Sequence, residues 1–241
     1  MDGFKEATPE NALAAKEFMG HTLVVRLDEI TAQASTLVSD LVFMRQLGVR
    51  PVVVLDAMQH SASSRLVALI NRIGGDAVAL DGTSASTLVV ARDTHGRSAV
   101  RSVNASLLLL LLEQGYIPVF SAQGATVSGA SEPLDAADAA RELAAAMHAK
   151  RLLYPSGSGG IRSEDHSVIE ELTSSEALAL AETGTLAPDQ SKQLAAAALS
   201  VRSGVDAAQL LDLTIAHATL VELLTAQHLG TQVTSHVVLT N

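Results

Sequence analysis

Acidic side chains follow two apolar runs early in the chain. Residues 23–27 (Leu-Val-Val-Arg-Leu) lead directly into Asp28 and Glu29, and residues 51–55 (Pro-Val-Val-Val-Leu) lead into Asp56. Sheets of parallel strands bind their ligands just beyond the carboxyl ends of the strands. A site for an anion would place glycines and exposed backbone N–H groups there. Carboxylates at both strand ends therefore disfavour a phosphate ligand at this position.

The two runs have the features of neighbouring strands in one sheet. Both have strand length, are rich in β-branched residues and are continuously apolar, which is typical of strands buried on both faces. Residues 34–47 between them place apolar side chains on one helical face, and Gly48 supplies a C-terminal cap. The result is a βαβ unit, and a right-handed crossover brings the two carboxyl ends side by side. We therefore expect Asp28, Glu29 and Asp56 to lie close together.

Strand and helix patterns alternate along the rest of the chain. Further helices are predicted at residues 63–73, 104–114, 134–150, 190–202 and 216–225, and further strands at 77–80, 116–120, 209–213 and 230–238. A hairpin or edge-strand region is expected from residue 87, and a loop of small residues at 121–133. This alternation predicts an α/β fold with a mostly parallel sheet.

No internal repeat or long linker divides the 241 residues. We therefore expect a single domain, 1–241, whose N-terminal lobe (about 20–148) and C-terminal lobe (about 149–241) share a continuous sheet. A short N-terminal helix is predicted at about 8–19, where Thr8 and Pro9 are typical of a helix start.

Composition excludes several classes of function. The formal charge is −10, and no run of Lys or Arg is present, which argues against a nucleic-acid partner. Cysteine is absent, so disulfides, thiolate catalysis and Cys–metal sites are excluded. The apolar run Leu107–Leu112 is too short to span a bilayer, and it is either a core helix buried on all sides or one that touches a subunit partner. With no signal-peptide pattern at the start, we expect a cytoplasmic protein without a membrane partner.

Three motifs have a chemical and a structural interpretation. Residues 156–160 (Ser-Gly-Ser-Gly-Gly) follow a strand and could cradle a phosphate, but the Lys-Ser/Thr of a P-loop is missing and a flexible turn is the favoured interpretation. The histidines lack the paired spacing of metal ligands, so no metal site is predicted. Asp135 and Asp138 stand at the start of a helix, where capping is favoured over catalysis.

Several stretches resemble the amino-acid kinase family, and specifically its acetylglutamate kinase branch. They are residues 17–25, 47–54, 69–78, 103–119, 184–185, 201–205 and 228–233. The resemblance covers nearly the whole chain. It implies a three-layer αβα sandwich, phosphoryl transfer from ATP to a carboxylate in arginine or related amino-acid biosynthesis, and a homodimer or higher oligomer.

The residues that carry the family's chemistry are altered at the strand ends. Where the family has Lys-x-Gly-Gly after the first strand, this chain has Arg26, Leu27, Asp28 and Glu29. The family's His-Gly-Gly-Gly after the second strand is replaced by residues 55–58 (Leu-Asp-Ala-Met), and its Gly-x-Arg-Val-Thr segment is missing.

Further departures lie in the second half of the family's site. The Asn-x-Asn-Ala-Asp motif becomes residues 133–137 (Pro-Leu-Asp-Ala-Ala), and the Thr-Asp-x-x-Gly nucleotide loop becomes 156–160, which keeps a hydroxyl and the last glycine. The Gly-Gly-Met-x-x-Lys motif becomes 188–193, where Gln193 takes the position of the lysine and Lys192 is its neighbour.

These departures favour a catalytically impaired or inactive acetylglutamate kinase-like protein that acts as a structural, regulatory or ligand-binding subunit without a cofactor. Its partner would be a second copy or an active amino-acid kinase. The alternative is a divergent kinase that binds ATP and Mg²⁺ and uses Arg26 and Lys192 for catalysis and Ser156, Gly157 and Gly160 for the nucleotide. A third possibility is a small-ligand sensor whose more acidic pocket prefers a cation or an amine.

Overall fold

The structure is a computed structural model that describes residues 16–27, 34–57, 60–92, 96–163, 165–225, 227 and 229–236. The strands are β1 (Thr22–Leu27), β2 (Arg50–Leu55), β3 (Ala77–Asp81), β4 (Leu88–Arg92), β5 (Ser98–Val103), β6 (Ile117–Ser121), β7 (Gln123–Ala125), β8 (Ser131–Pro133), β9 (Arg151–Pro155), β10 (Glu171–Thr173), β11 (Ala207–Leu211) and β12 (Gly230–Thr234). The helices are α1 (Ala34–Gln46), α2 (His60–Arg72), α3 (Ser106–Glu113), α4 (Ala136–Ala146), α5 (Ser174–Glu182), α6 (Pro188–Arg202) and α7 (Ala218–Leu224).

Eight strands from both halves of the chain form one sheet in the order β10-β12-β11-β9-β1-β2-β6-β3. The pairings in this sheet are parallel, apart from the antiparallel pair β11 and β12. Strand β1 lies at the centre, between β2 of the first half and β9 of the second. The α/β class and the mostly parallel sheet predicted from the sequence are confirmed.

Alternate residues of the central strands enter two separate cores. Val24 and Val52 pack in one core with α3, α4 and α6, whereas Leu23 and Val53 pack in the other with α1, α2 and α7. Each fully buried side chain of this kind contributes about 1.5–3 kcal/mol. Helices therefore cover both faces of the sheet, and the fold is the expected three-layer sandwich.

The predicted loop at 121–133 is wrong, because these residues contain β7 and β8. They belong to a second sheet in the order β5-β4-β7-β8. Gly124 in β7 lies so close to β4 that an added Cβ would be 2.2 Å from Val90 Cγ1. A glycine and small residues let β7 approach β4 closely, but they give no periodic pattern that would predict strands.

Helix α3 is not buried on all sides. Leu108 and Leu112, four residues apart, are buried, whereas Leu110 is 55% exposed. One helical face meets the sheet and the opposite face remains at the surface. The prediction of a core helix buried on all sides is therefore wrong.

Other boundaries differ in ways that bear on the candidate site. Helix α2 begins at His60 rather than Ser63, so only residues 56–59 connect it to β2. Helix α6 begins at Pro188, and strand β10 was not predicted. Of the predicted N-terminal helix (about 8–19), residues 16–18 are helical and Met19 lies in a turn; the rest lies outside the described residues. No helix in the described part of the chain is long and apolar enough to cross a membrane.

Candidate functional site

The carboxyl ends of the central strands lie level with one another. Leu27 of β1 pairs with Leu55 of β2, and β9 runs parallel on the other side of β1. Asp56 follows β2 and is half-buried. Asp28 and Glu29 lie outside the described residues, so the close approach of the three carboxylates stays a prediction.

A cavity of about 230 Å³, here called the inner cavity, opens at these strand ends. Arg26 of β1 and Lys192 of α6, both named from the sequence as candidate catalytic residues, line the same space. The other lining residues are Ala137, Tyr154, Asp189, Gln193 and Ala196. The structure therefore brings together residues from the first strand, from α4 and from α6 that are far apart in the chain.

Tyr154 forms one wall of the inner cavity and was not singled out from the sequence. Its side chain is fully buried, and its hydroxyl lies 2.9 Å from Ser200 Oγ on α6. Burial raises the pKa of Tyr154 to about 12, although the Ser200 hydrogen bond acts in the opposite direction. A polar Ser200 within an alanine-rich helix was the available sequence signal for this partner.

Lys192 is held by an acidic residue at the start of α4. Its Nζ lies 3.1 Å from Asp135 Oδ2, while Asp135 Oδ1 accepts hydrogen bonds from the N–H groups of Ala137 and Asp138. Burial alone would raise the pKa of Asp135, but the Lys192 and backbone hydrogen bonds outweigh it and lower the pKa. The predicted capping role of Asp135 is confirmed.

The Ser156–Gly160 loop is closed on itself. The N–H of Gly159 donates to the carbonyl of Ser156 at 3.1 Å, and that of Gly160 donates to Ser156 Oγ at 3.3 Å. The N–H of Ile161 donates to Thr231 Oγ1 at 2.7 Å. The N–H groups of Gly159 and Gly160 thus have acceptors within the loop, and that of Ile161, just after it, has one on β12.

A larger space of about 620 Å³, here called the outer cleft, adjoins the inner cavity and shares Ala137, Lys192 and Ala196 with it. It lies between the start of β5, the first turns of α4, and α6. Its other lining residues are Arg97, Ser98, Ala99, Pro133, Asp135, Asp138, Arg141, Ala195 and Leu199. Arg97 and Arg141 were not singled out from the sequence, because neither belongs to a motif.

The inner cavity is small for a ligand pocket, and the loop at 156–160 lies outside both spaces. Ligand pockets typically enclose about 300–1,000 Å³, and the inner cavity is smaller than this range. Residues 156–160 line neither the inner cavity nor the outer cleft. Within the described residues no group of three or more His, Cys, Asp or Glu side chains could hold a metal ion.

A hydrogen-bonded pair of a half-exposed histidine and a buried aspartate lies away from both spaces, between α1 and the start of α7. His217 Nδ1 is 2.6 Å from Asp40 Oδ1, and Asp40 is 1% exposed. Burial raises the pKa of Asp40 to about 6, although the hydrogen bond and the charge of His217 act to lower it. The partners are 177 residues apart in the chain, so no local pattern indicated this pair.

Comparison with known proteins identifies relatives of the chain. Residues 32–211 match the model of the amino acid kinase family. Acetylglutamate kinase from Synechococcus sp. (strain RCC307) is 36% identical over 180 residues, which cover 71% of this chain and 60% of that protein. Acetylglutamate kinase from Burkholderia ambifaria (strain MC40-6) is 30% identical over 184 residues, covering 71% and 62%. The chain thus spans about 60% of the length of these curated relatives.

Solved structures share the fold at lower sequence identity. N-acetylglutamate synthase from Neisseria gonorrhoeae, complexed with coenzyme A and N-acetyl-glutamate, matches with a TM-score of 0.85 and 22% identity over 95% of this chain and 63% of that chain. Carbamate kinase from Giardia lamblia bound to AMP-PNP matches with a TM-score of 0.65 and 13% identity over 90% and 99%. At these identities the match establishes the fold alone.

Proposed function

Because the chain belongs to the amino acid kinase family and is similar to acetylglutamate kinases, we propose that it is an acetylglutamate kinase-like protein with impaired or absent phosphoryl transfer. It would act as a structural, regulatory or ligand-binding subunit. The fold itself does not decide the activity, since a synthase and several kinases share it.

The observation that carries the proposal is the composition of the inner cavity. Phosphoryl transfer depends on positive charge at the transferred group and on close approach of backbone N–H groups. Here Arg26 and Lys192 are present, but Gln193 takes the position of the family's lysine and Ala137 that of its aspartate. The buried ring of Tyr154 occupies one wall. Asp56 stands after β2 where a glycine would let the backbone approach a phosphate.

The segment after β2 adds a second argument. The family resemblance implies a substrate loop between the second strand and the following helix, but here only residues 56–59 separate β2 from α2. Such a short connection leaves no chain to fold over a carboxylate substrate.

One observation favours the alternative, a divergent ATP-dependent kinase that phosphorylates N-acetylglutamate or a related carboxylate. Arg26 and Lys192 line the same cavity, so two cationic side chains do converge at the strand ends. Arg keeps the charge of the family's lysine, although its planar guanidinium has a different shape. Ser156, Gly157 and Gly160 would have to move before they could contact a nucleotide held there.

Calorimetric titration with MgATP, together with a phosphoryl-transfer assay on N-acetylglutamate, separates the two functions. We expect no binding in the micromolar range and no turnover. Micromolar binding with turnover that is lost in both Arg26→Gln and Lys192→Gln would establish the divergent kinase instead.

A further inference from the structure

We propose that Asp40 and His217 form a pH-sensitive clasp, which holds residues 212–217 closed at acidic pH and lets them open as the pH rises to neutrality. These six residues, here called the flap, join the carboxyl end of β11 to the start of α7. The flap belongs to the C-terminal half of the chain, whereas Asp40 lies on α1 in the N-terminal half. The proposal does not depend on phosphoryl transfer.

The clasp joins a buried carboxyl group to a histidine at the surface. His217 Nδ1 lies 2.6 Å from Asp40 Oδ1, and the side chains of His217 and Asp40 are 40% and 2% exposed. The contact therefore crosses the boundary between interior and solvent. Movement of His217 away from α1 would break it and admit water to the carboxyl group.

The flap is organised largely by its own hydrogen bonds. Residues 214–216 are exposed, and Leu213 is partly buried against the core. The N–H of Thr214 donates to Asp212 Oδ1 at 2.9 Å, and that of Ile215 donates to the Asp212 carbonyl at 3.2 Å. The flap can therefore move as a unit without losing these hydrogen bonds.

Helix α7 remains in place when the flap opens. Glu222 of α7 accepts hydrogen bonds from the side chain of Gln209 and from the N–H of Leu229. Three leucines of α7 are buried in the core that it shares with α1: Leu220, Leu223 and Leu224. His217 comes directly before this helix in a left-handed conformation, with φ of 59°, which disfavours a residue with a side chain. Opening at this residue relieves that strain and exposes none of the leucines.

Ionisation of Asp40 favours the open flap. Burial raises the pKa of Asp40 from 3.8 to about 6, although the hydrogen bond and the charge of His217 act to lower it. With the flap open, the carboxyl group is hydrated and titrates near its ordinary value. The closed flap therefore binds the proton more tightly. Its advantage is fully present below about pH 4 and is lost as the pH rises through about 6.

Other charged groups lie on α1, in the flap and on the elements packed against α1. They are Arg45 on α1, Asp212 in the flap, Arg50 on β2, Arg65 and Arg72 on α2, and Glu222 on α7. Within the described part of the chain, His217 is the charged group that acts on the pKa of Asp40. The pH response of the clasp therefore follows from Asp40 and its contact with His217.

The flap lies at the edge of the sheet where parallel strands bind their ligands. A Cβ added to Gly159 would be 3.8 Å from Asp212 Cβ, so the flap adjoins the 156–160 loop that follows β9. Opening of the flap would widen the sheet edge between β9 and β11.

Amide hydrogen exchange measured by NMR on the 241-residue chain tests the clasp. The N–H groups of Ala218 and Val221 donate to the carbonyls of Ile215 and His217, so they report on the junction of the flap with α7. After correction for the intrinsic pH dependence of exchange, we expect their opening equilibrium constant to rise about tenfold between pH 5 and 8. In Asp40→Asn, whose amide does not titrate, the change should be less than about twofold.

Asp76→Asn is the matched control, because Asp76 is an exposed aspartate paired with Arg45 near the C-terminal end of α1. This variant should keep the rise seen in the parent protein. Low concentrations of urea separate flap opening from global unfolding, since exchange through global unfolding accelerates with urea and exchange through a small local opening does not. Val25 and Val53, buried in the central strands, give the global rate.

The proposal is overturned if the N–H groups of Ala218 and Val221 exchange no faster than those of Val25 and Val53. It is also overturned if their opening in the parent protein is the same at pH 5 and 8, or if the rise persists in Asp40→Asn. The first two results need the parent protein alone, so they decide the proposal even if Asp40→Asn does not fold.

Discussion

The pair formed by Asp40 and His217 should make the stability of the protein depend on pH through a single buried carboxyl. Asp40 lies in the middle of α1, fully covered by the helices and sheet around it, and its pKa is raised from 3.8 to about 6 by burial. In the unfolded chain the carboxyl is solvated and titrates near its ordinary value. The native state therefore holds a proton at Asp40 between about pH 4 and 6 that the unfolded state has released.

The sign and size of the effect follow from this difference. The contribution of Asp40 to stability is fully present below about pH 4 and is lost as the pH rises through 6. A rise of about two pKa units, at about 1.4 kcal/mol per unit, corresponds to a loss of about 3 kcal/mol across this window.

Asp40→Asn isolates this contribution, because the amide is close in size and does not titrate. Urea unfolding at a series of pH values from 4.5 to 7.5 gives the free energy of unfolding of both proteins. We expect the parent protein to lose about 2 kcal/mol relative to Asp40→Asn between pH 4.5 and 7.5, since the rest of the effect lies below pH 4.5. Parallel profiles for the two proteins would refute the reasoning.

The variant His217→Asn tests how far His217 lowers the pKa of Asp40. His217 has a left-handed backbone conformation, with φ of 59°, which Asn adopts more readily than most residues. Loss of the imidazole removes the hydrogen bond and the charge that lower the pKa of Asp40. The pH-dependent loss of stability should then extend to higher pH than in the parent protein.

Three further predictions concern the site and the assembly. Combined replacement of Asp28, Glu29 and Asp56 by Gly should raise MgATP affinity at least tenfold, or about 1.4 kcal/mol, without turnover, and calorimetry on a folded triple variant that shows no gain would contradict this. The protein should self-associate through α1 and α2 with a buried interface of about 1,200–2,000 Å², so a monomer mass by light scattering at micromolar concentration would rule it out. Tyr154→Phe should lower the free energy of unfolding by about 1 kcal/mol, because it removes the hydrogen bond to Ser200; a calorimetric scan with unchanged Tm would contradict that.

The βαβ core could be predicted from the sequence because its signals are local. The apolar runs of β1 and β2 and the helical spacing of α1 each identify an element without reference to the rest of the chain. The residues Thr-Ser-Ser-Glu at 173–176 are another local signal, a capping box at the start of α5: Thr173 N–H donates to Glu176 Oε2 at 2.8 Å, and Glu176 N–H donates to Thr173 Oγ1 at 3.2 Å.

Features that depend on distant partners could not be predicted. Strands β7 and β8 are three residues each and have no apolar alternation, so their existence depends on pairing with β4 and with each other. The candidate site shows the same division. Arg26 and Lys192 were identified through the family resemblance, whereas the wall formed by Tyr154 and the cleft containing Arg141 depend on how α4 and α6 pack against the sheet.

The central place of β1 in the large sheet has a consequence for folding during synthesis. Val24 pairs with Val52 on one side and with Leu152 on the other, so one edge of the first strand has no partner until well over a hundred further residues have left the ribosome. Contacts between such distant segments form slowly, and an apolar strand edge left open in that interval can pair with another nascent chain. Strand β9 is therefore the segment that covers the open edge of β1 during synthesis.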